Sequence, residues 1–166
     1  MKTLVVGLGN PILGDDGVGW QVAESVRRQL TSSPTFPSGE TREVDVACLS
    51  LGGISLMEHL IGYECVVLID AVFSAEEPGS ITVSKLEDLP NYSAFHIASA
   101  HDTSLQNAIR LGRDLGAKLP EDVTVVGICA RHVYDFSEEL SPPIAAAVPK
   151  ATRIVVELVM QKLIVH

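Results

Sequence analysis

The sequence predicts an α/β fold: a single-domain three-layer sandwich over residues 1–166, a mostly parallel, twisted sheet with helices on both faces. Three observations lead there. Short β-branched runs alternate with longer amphipathic ones, the pattern of repeated βαβ units. Cys65-Val66-Val67-Leu68-Ile69 is apolar at every position, as a strand buried on both faces of a parallel sheet requires. And 166 residues suit one domain, which at that length buries roughly 70% of the surface its unfolded chain exposes.

The elements follow in order. Thr3 to Leu8 reads as the first strand, and Gly17 to Leu30 as a helix with Val18, Val22, Val26 and Leu30 on one face. The breaker-rich stretch from Thr31 to Gly39 is expected to be a surface loop. A second strand covers Glu43 to Leu49 and a short helix Ile54 to Leu60. The central strand from Cys65 is expected to stop at Asp70, and Ile81 to Leu86 to form an antiparallel edge strand. Thr103 to Leu115 reads as a helix turning Leu105, Ala108, Ile109 and Leu115 inward. Val123 to Cys129 is the last strand, and Pro142 to Leu163 a long helix that Pro149 should kink or restart.

Composition narrows the function. Residues of the AVILMFWYC set make up 46% of the chain and charged residues 20%, which excludes a disordered chain. Twelve Lys and Arg against 21 Asp and Glu leave a net charge of −9, so the overall field repels phosphate backbones and anionic lipid. Nucleic acid is not the expected partner. Cys48, Cys65 and Cys129 form no C-x-x-C pair and are odd in number, which argues against a disulfide framework and suits a reducing cytoplasm. The apolar run Leu4 to Leu8 is too short for a signal-peptide core, and Ile154 to Met160, interrupted by Glu157, falls short of the ~20 residues that cross a bilayer. The expectation is a cytoplasmic protein with no membrane insertion.

The densest segment, Gly7-Leu8-Gly9-Asn10-Pro11-Ile12-Leu13-Gly14-Asp15-Asp16-Gly17-Val18-Gly19, joins the first strand to the first helix. A dinucleotide fingerprint would want glycine where Ile12 stands, and no G-x-x-x-x-G-K-[ST] occurs. The plain alternative is a tight turn in which Asp15 or Asp16 caps the helix that follows. Position favours a site, because open α/β sheets bind ligands outside the carboxyl ends of their strands. Asp70, following five apolar residues, is expected at the same rim. His101 opens a helix, whose dipole should keep its imidazole neutral and able to bind metal. Two carboxylates and one imidazole suit a borderline divalent ion such as zinc or nickel better than magnesium or calcium. His132, beyond the last strand, could touch a substrate, as could Asn10 and Asp15, although packing is the commoner role for such a histidine. His59, His96 and His166 read as structural or solvated. No G-x-S-x-G elbow or covalent triad spacing is present.

This arrangement resembles the hydrogenase maturation proteases, endopeptidases that trim the C-terminus of the nickel-iron hydrogenase large subunit. The matching pieces are the glycine-rich block above, Leu68-Ile69-Asp70-Ala71, Ser99-Ala100-His101-Asp102-Thr103-Ser104-Leu105, Val126-Gly127-Ile128 and Leu140-Ser141-Pro142. The resemblance implies that Asp16 (a glutamate in some members), Asp70 and His101 are the family's metal-binding and catalytic positions. It also implies that the ion is nickel carried by the substrate precursor, with zinc or another divalent ion able to substitute. Cleavage would then check metal insertion. A metal could polarise the scissile carbonyl or acidify a water, or one carboxylate could act as general base.

Two rivals stand beside it. Leu4-Val5-Val6-Gly7-Leu8-Gly9-Asn10-Pro11 also resembles the opening of bacterial peptidyl-tRNA hydrolases, but no histidine occurs before His59 and the charge suits tRNA poorly. A non-catalytic nickel sensor or chaperone using Asp16, Asp70 and His101 is the alternative from a different class.

Overall fold

Strands β1 (Lys2–Leu8), β2 (Glu43–Leu49), β3 (Cys65–Val72), β4 (Ile81–Lys85) and β5 (Asp122–Cys129) form one sheet in the order β2-β1-β3-β5-β4. The structure, a computed structural model, describes residues 1–32, 43–90, 103–131 and 135–165. All neighbouring strands run parallel except β4, which closes the β5 edge antiparallel, as the sequence leads one to expect. Four helices cover the sheet: α1 (Val18–Ser32), α2 (Gly53–His59), α3 (Leu105–Asp114) and α4 (Pro142–Val165).

Side-chain alternation along the strands builds two apolar layers. Val5, Val67, Ile69, Val126 and Ile128 meet α1 and α4 on one face, whereas Leu4, Val6, Leu8, Val66 and Leu68 meet α2 and α3 on the other. Each fully buried Val, Leu or Ile contributes roughly 1.5–3 kcal/mol. Glycines permit the closest approaches. A Cβ on Gly19 would stand 2.2 Å from the Leu8 carbonyl oxygen and 2.5 Å from that of Ile69, so the first turn of α1 lies directly over the carboxyl ends of β1 and β3.

Three expectations need correction. β3 does not stop at Asp70 but runs to Val72, because β5 continues beside it and pairs Ala71 with Ile128 and Val72 with Cys129. Leu115 is not inward. α3 ends at Asp114, Leu115 is 79% exposed, and Gly112 instead packs against Met57 and Leu119 where α2 and α3 meet. α4 does not restart at Pro149. It is one helix from Pro142 to Val165, and both Pro149 and Ala145, whose carbonyl loses its donor, lie on the exposed side where water can hydrate that oxygen. No helix among the described residues is long and apolar enough to cross a membrane.

Candidate active site

α1 connects β1 to β2 over one face of the sheet and α2 connects β2 to β3 over the other, so the strand order reverses direction between β1 and β3. A crevice at the carboxyl ends of that pair is where open α/β sheets hold their ligands. Asp16 and Asp70 both belong to this edge.

The turn after β1 carries Asp16. Gly9 takes φ +126°, and a Cβ there would sit 1.9 Å from the Asp16 carbonyl oxygen, so the chain folds back on itself at van der Waals distance only because Gly9 lacks a side chain. Asn10 donates its backbone N–H to Asp16 Oδ2 at 2.7 Å, and the Asn10 side-chain oxygen accepts from Ile12 N at 3.2 Å, a local Asx-type bond. Ser50 Oγ, beyond β2, donates to the Gly9 carbonyl at 2.6 Å, and Gly9 N donates to Leu49 O at 3.2 Å. Trp20 Nε1 also donates to Leu49 O at 3.3 Å, which places that ring at the rim. The 3-10 turn Gly14–Gly17 then delivers Asp16, 1% exposed, against both α1 and β3.

Asp70 approaches from the neighbouring strand. The β1–β3 ladder ends at Gly7 opposite Ile69, so Asp70 is the first β3 residue beyond it, and it is paired on its other side with Gly127 of β5. Alternation sets Asp70 on the face of Val66 and Leu68, the side covered by α2 and α3. It is also 1% exposed. Two carboxylates buried this deeply at one sheet edge cost folding free energy unless cations or donors compensate. That donor set suits a divalent ion or a proton in transfer.

The other expected residues divide. Asp15 does not cap α1; its two oxygens accept from Ser141 N and Ser141 Oγ, both at 2.7 Å, 126 residues away. Ser141 in turn starts α4, accepting from Ala145 N at 2.9 Å, so Asp15 places a negative charge at that helix's positive end. The Ser-Pro-Pro sequence marks the start of α4, since serine caps and proline favours the first helical position, but it does not single out Asp15 as the partner. His101, His132, His96 and His166 lie outside the described residues. Among the described residues no group of three His, Cys, Asp or Glu could hold a metal ion. His59 is exposed, with Nδ1 2.9 Å from the Ser55 carbonyl. The three cysteines are free thiols, and burial together with Glu24 pushes Cys48 up to about 11 while burial raises Cys65, which removes both as nucleophiles at neutral pH.

Known proteins bear on this geometry. The family model described as hydrogenase maturation protease matches residues 6–158. The hydrogenase expression/formation protein HoxM of Azotobacter vinelandii is 26% identical over 159 residues, covering 96% of this chain and 72% of its own. A hydrogenase 2 maturation peptidase from a Thaumarchaeota archaeon superposes with a TM-score of 0.59 at 29% identity, covering 98% of each chain. The hydrogenase maturating endopeptidase HybD of E. coli shares the fold, with a TM-score of 0.75 at 21% identity over 98% of this chain and 94% of its own.

Proposed function

The chain belongs to the hydrogenase maturation protease family, a group of peptide-bond hydrolases that process the hydrogenase large subunit, and on that premise we propose that it removes the C-terminal extension of a nickel-loaded large-subunit precursor. In this reading the nickel is part of the substrate. Asp16, Asp70 and His101 complete its coordination and so hold the scissile bond beyond the carboxyl ends of β1 and β3. The observation that carries the proposal is the burial of Asp16 and Asp70 at the edge where the strand order reverses, Asp16 on the turn that follows β1 and Asp70 on the adjoining strand β3.

Hydrolysis adds a water oxygen to the scissile carbonyl carbon, breaks the C–N bond and delivers a proton to the departing amine. A buried carboxylate within reach can take the proton that water gives up, while the substrate's own ion draws electron density from the carbonyl. Buried surroundings strengthen both effects by lowering the local dielectric.

The test incubates the purified precursor, with and without nickel, with wild type, Asp16→Ala, Asp70→Asn and His101→Ala, and follows the shortened product by gel mobility. Nickel-loaded precursor should be trimmed by wild type alone, each variant losing at least about 100-fold in rate, equivalent to about 2.7 kcal/mol. Metal-free precursor should stay intact. Trimming at the wild-type rate by the variants would overturn the assignment, and a change in nickel occupancy without shortening would identify a chaperone instead.

A further inference from the structure

The loop after β5 returns to the loop after β1 and pairs with it. Ser137 N donates to Ile12 O at 3.1 Å and Gly14 N donates to Ser137 O at 2.7 Å, with Leu13 and Ser137 forming a parallel bridge. This pairing fixes Ile12 and Phe136 close together while leaving both in solvent, Ile12 at 46% and Phe136 at 87% exposure. A phenylalanine that open gains nothing for folding, and single exposed apolar residues are ordinary. Two of them on segments joined by backbone hydrogen bonds, one segment being the very turn that delivers Asp16, are a different matter. A cleft of about 420 Å³ is lined by their chain neighbours, Gly14 and Asp15 from the turn after β1 and Asp135, Ser137, Glu139 and Leu140 from the segment after β5.

The charged residues flanking Phe136 in the described segment after β5 have one sign. Asp135, Glu138 and Glu139 are all exposed within three residues of Phe136, no Lys or Arg lies between Arg131 and Lys150, and the whole chain carries −9. Asp15, a further acid of the cleft, accepts from Ser141. The complementary occupant is therefore an extended segment that lays an apolar side chain on Phe136 and Ile12 and offers Lys or Arg to the acidic lip. Because Ile12 lies on the turn that bears Asp16, the occupant this surface fits is the polypeptide being cut.

We infer that Ile12 and Phe136 form an apolar docking step with an acidic lip, which seats an apolar and basic stretch of the substrate precursor next to the scissile bond and so sets which precursor is accepted. This rests on the protease reading above, but is read out separately. A residue that only docks substrate changes KM and leaves kcat alone.

Steady-state kinetics on nickel-loaded precursor would compare wild type with Phe136→Ala, the double variant Ile12→Ser/Phe136→Ala and Glu139→Lys, with Asp16→Ala in parallel. Each docking variant should raise KM about 10-fold at unchanged kcat, and precursors whose extension has its apolar residues changed to Ser, or its Lys and Arg changed to Gln, should no longer distinguish wild type from the variants. Thermal melts should coincide, since the altered side chains are exposed. KM values within two-fold of wild type, with Asp16→Ala inactive, would overturn the docking surface and leave the protease reading standing. Full activity in Asp16→Ala would instead break that reading, whatever KM shows. A concentration-dependent dimer that Phe136→Ala abolishes without moving KM would also overturn the inference, by showing that a second copy of the chain covers the patch.

Discussion

A side chain at Gly9 has no room. The residue's φ of +126° is one that L-amino acids rarely adopt, and the atom blocking a Cβ is the Asp16 backbone oxygen, which no rotamer change can move. Gly9→Ala therefore combines backbone strain of ~1–3 kcal/mol with displacement of the Asp16 turn. The expected outcome is a lower melting midpoint together with at least a 10-fold loss of precursor trimming, measured by thermal denaturation and the gel assay. Gly62→Ala is the control. It also has positive φ, +89°, yet nothing lies within 4 Å of a Cβ there, so it should lose stability and keep its activity. Asn10 belongs to the same turn: its N–H on Asp16 Oδ2 orients that carboxylate, a contact made by backbone and so independent of the Asn10 side chain.

At the scale of elements, period-2 and period-3.6 patterns made the strands and helices legible because each buries one well-defined face. β2 was readable at both ends, Glu43 to Leu49, and the antiparallel edge was readable from its short, partly polar run. The end of β3 was not. Polarity at Asp70 suggested a stop, but strand length is set by the neighbour that continues, and β5 offers Ile128 and Cys129 to Ala71 and Val72. Pro149 did not restart the helix, and the carbonyl of Ala145 that it deprives of a donor lies on the exposed side, where water can take the donor's place. Asp16 and Asp70 were legible as rim residues from the rule that sites gather at carboxyl ends of strands. The bonding of Asp15 was not, because Ser141 is 126 residues distant and no local rule links them. Nor does sequence spacing reveal that the loop after β5 pairs with Ile12 and Gly14.

For the molecule as a whole, the end of the sheet away from the site is held by a different set of charges. Asp122, the first residue of β5, accepts from Lys85 of β4 and from Lys162 of α4, whose side chain is only 8% exposed. Burial pushes the Asp122 carboxyl up, but hydrogen bonds from Lys162 and Lys85 outweigh it and hold the group below its ordinary range. A carboxyl depressed in the folded state stabilises the fold above its unfolded pKa of about 3.9, and that contribution fades as pH falls through the lower folded value. Chemical denaturation across pH 2 to 7 should show this loss in wild type. Asp122→Asn should be about 2–3 kcal/mol less stable at pH 7, since a buried ammonium is left without its counter-charge, and its profile should be flatter below pH 4.

α4 is thereby clamped at both extremities, Ser141 on Asp15 beside the site and Lys162 on Asp122 some ~30 Å away along its axis, at 1.5 Å per residue. A rod fastened this way has no loose end from which to unravel. Its backbone amides from Ile144 to Val159 should exchange with deuterium as one cooperative block, at a single protection free energy near that of global unfolding, rather than in a gradient from either terminus. Asp15→Ala would restore such a gradient, with the earliest exchange in the first turn. One helix thus joins the rim that carries Asp16 to an ionic clasp at the opposite pole of the protein.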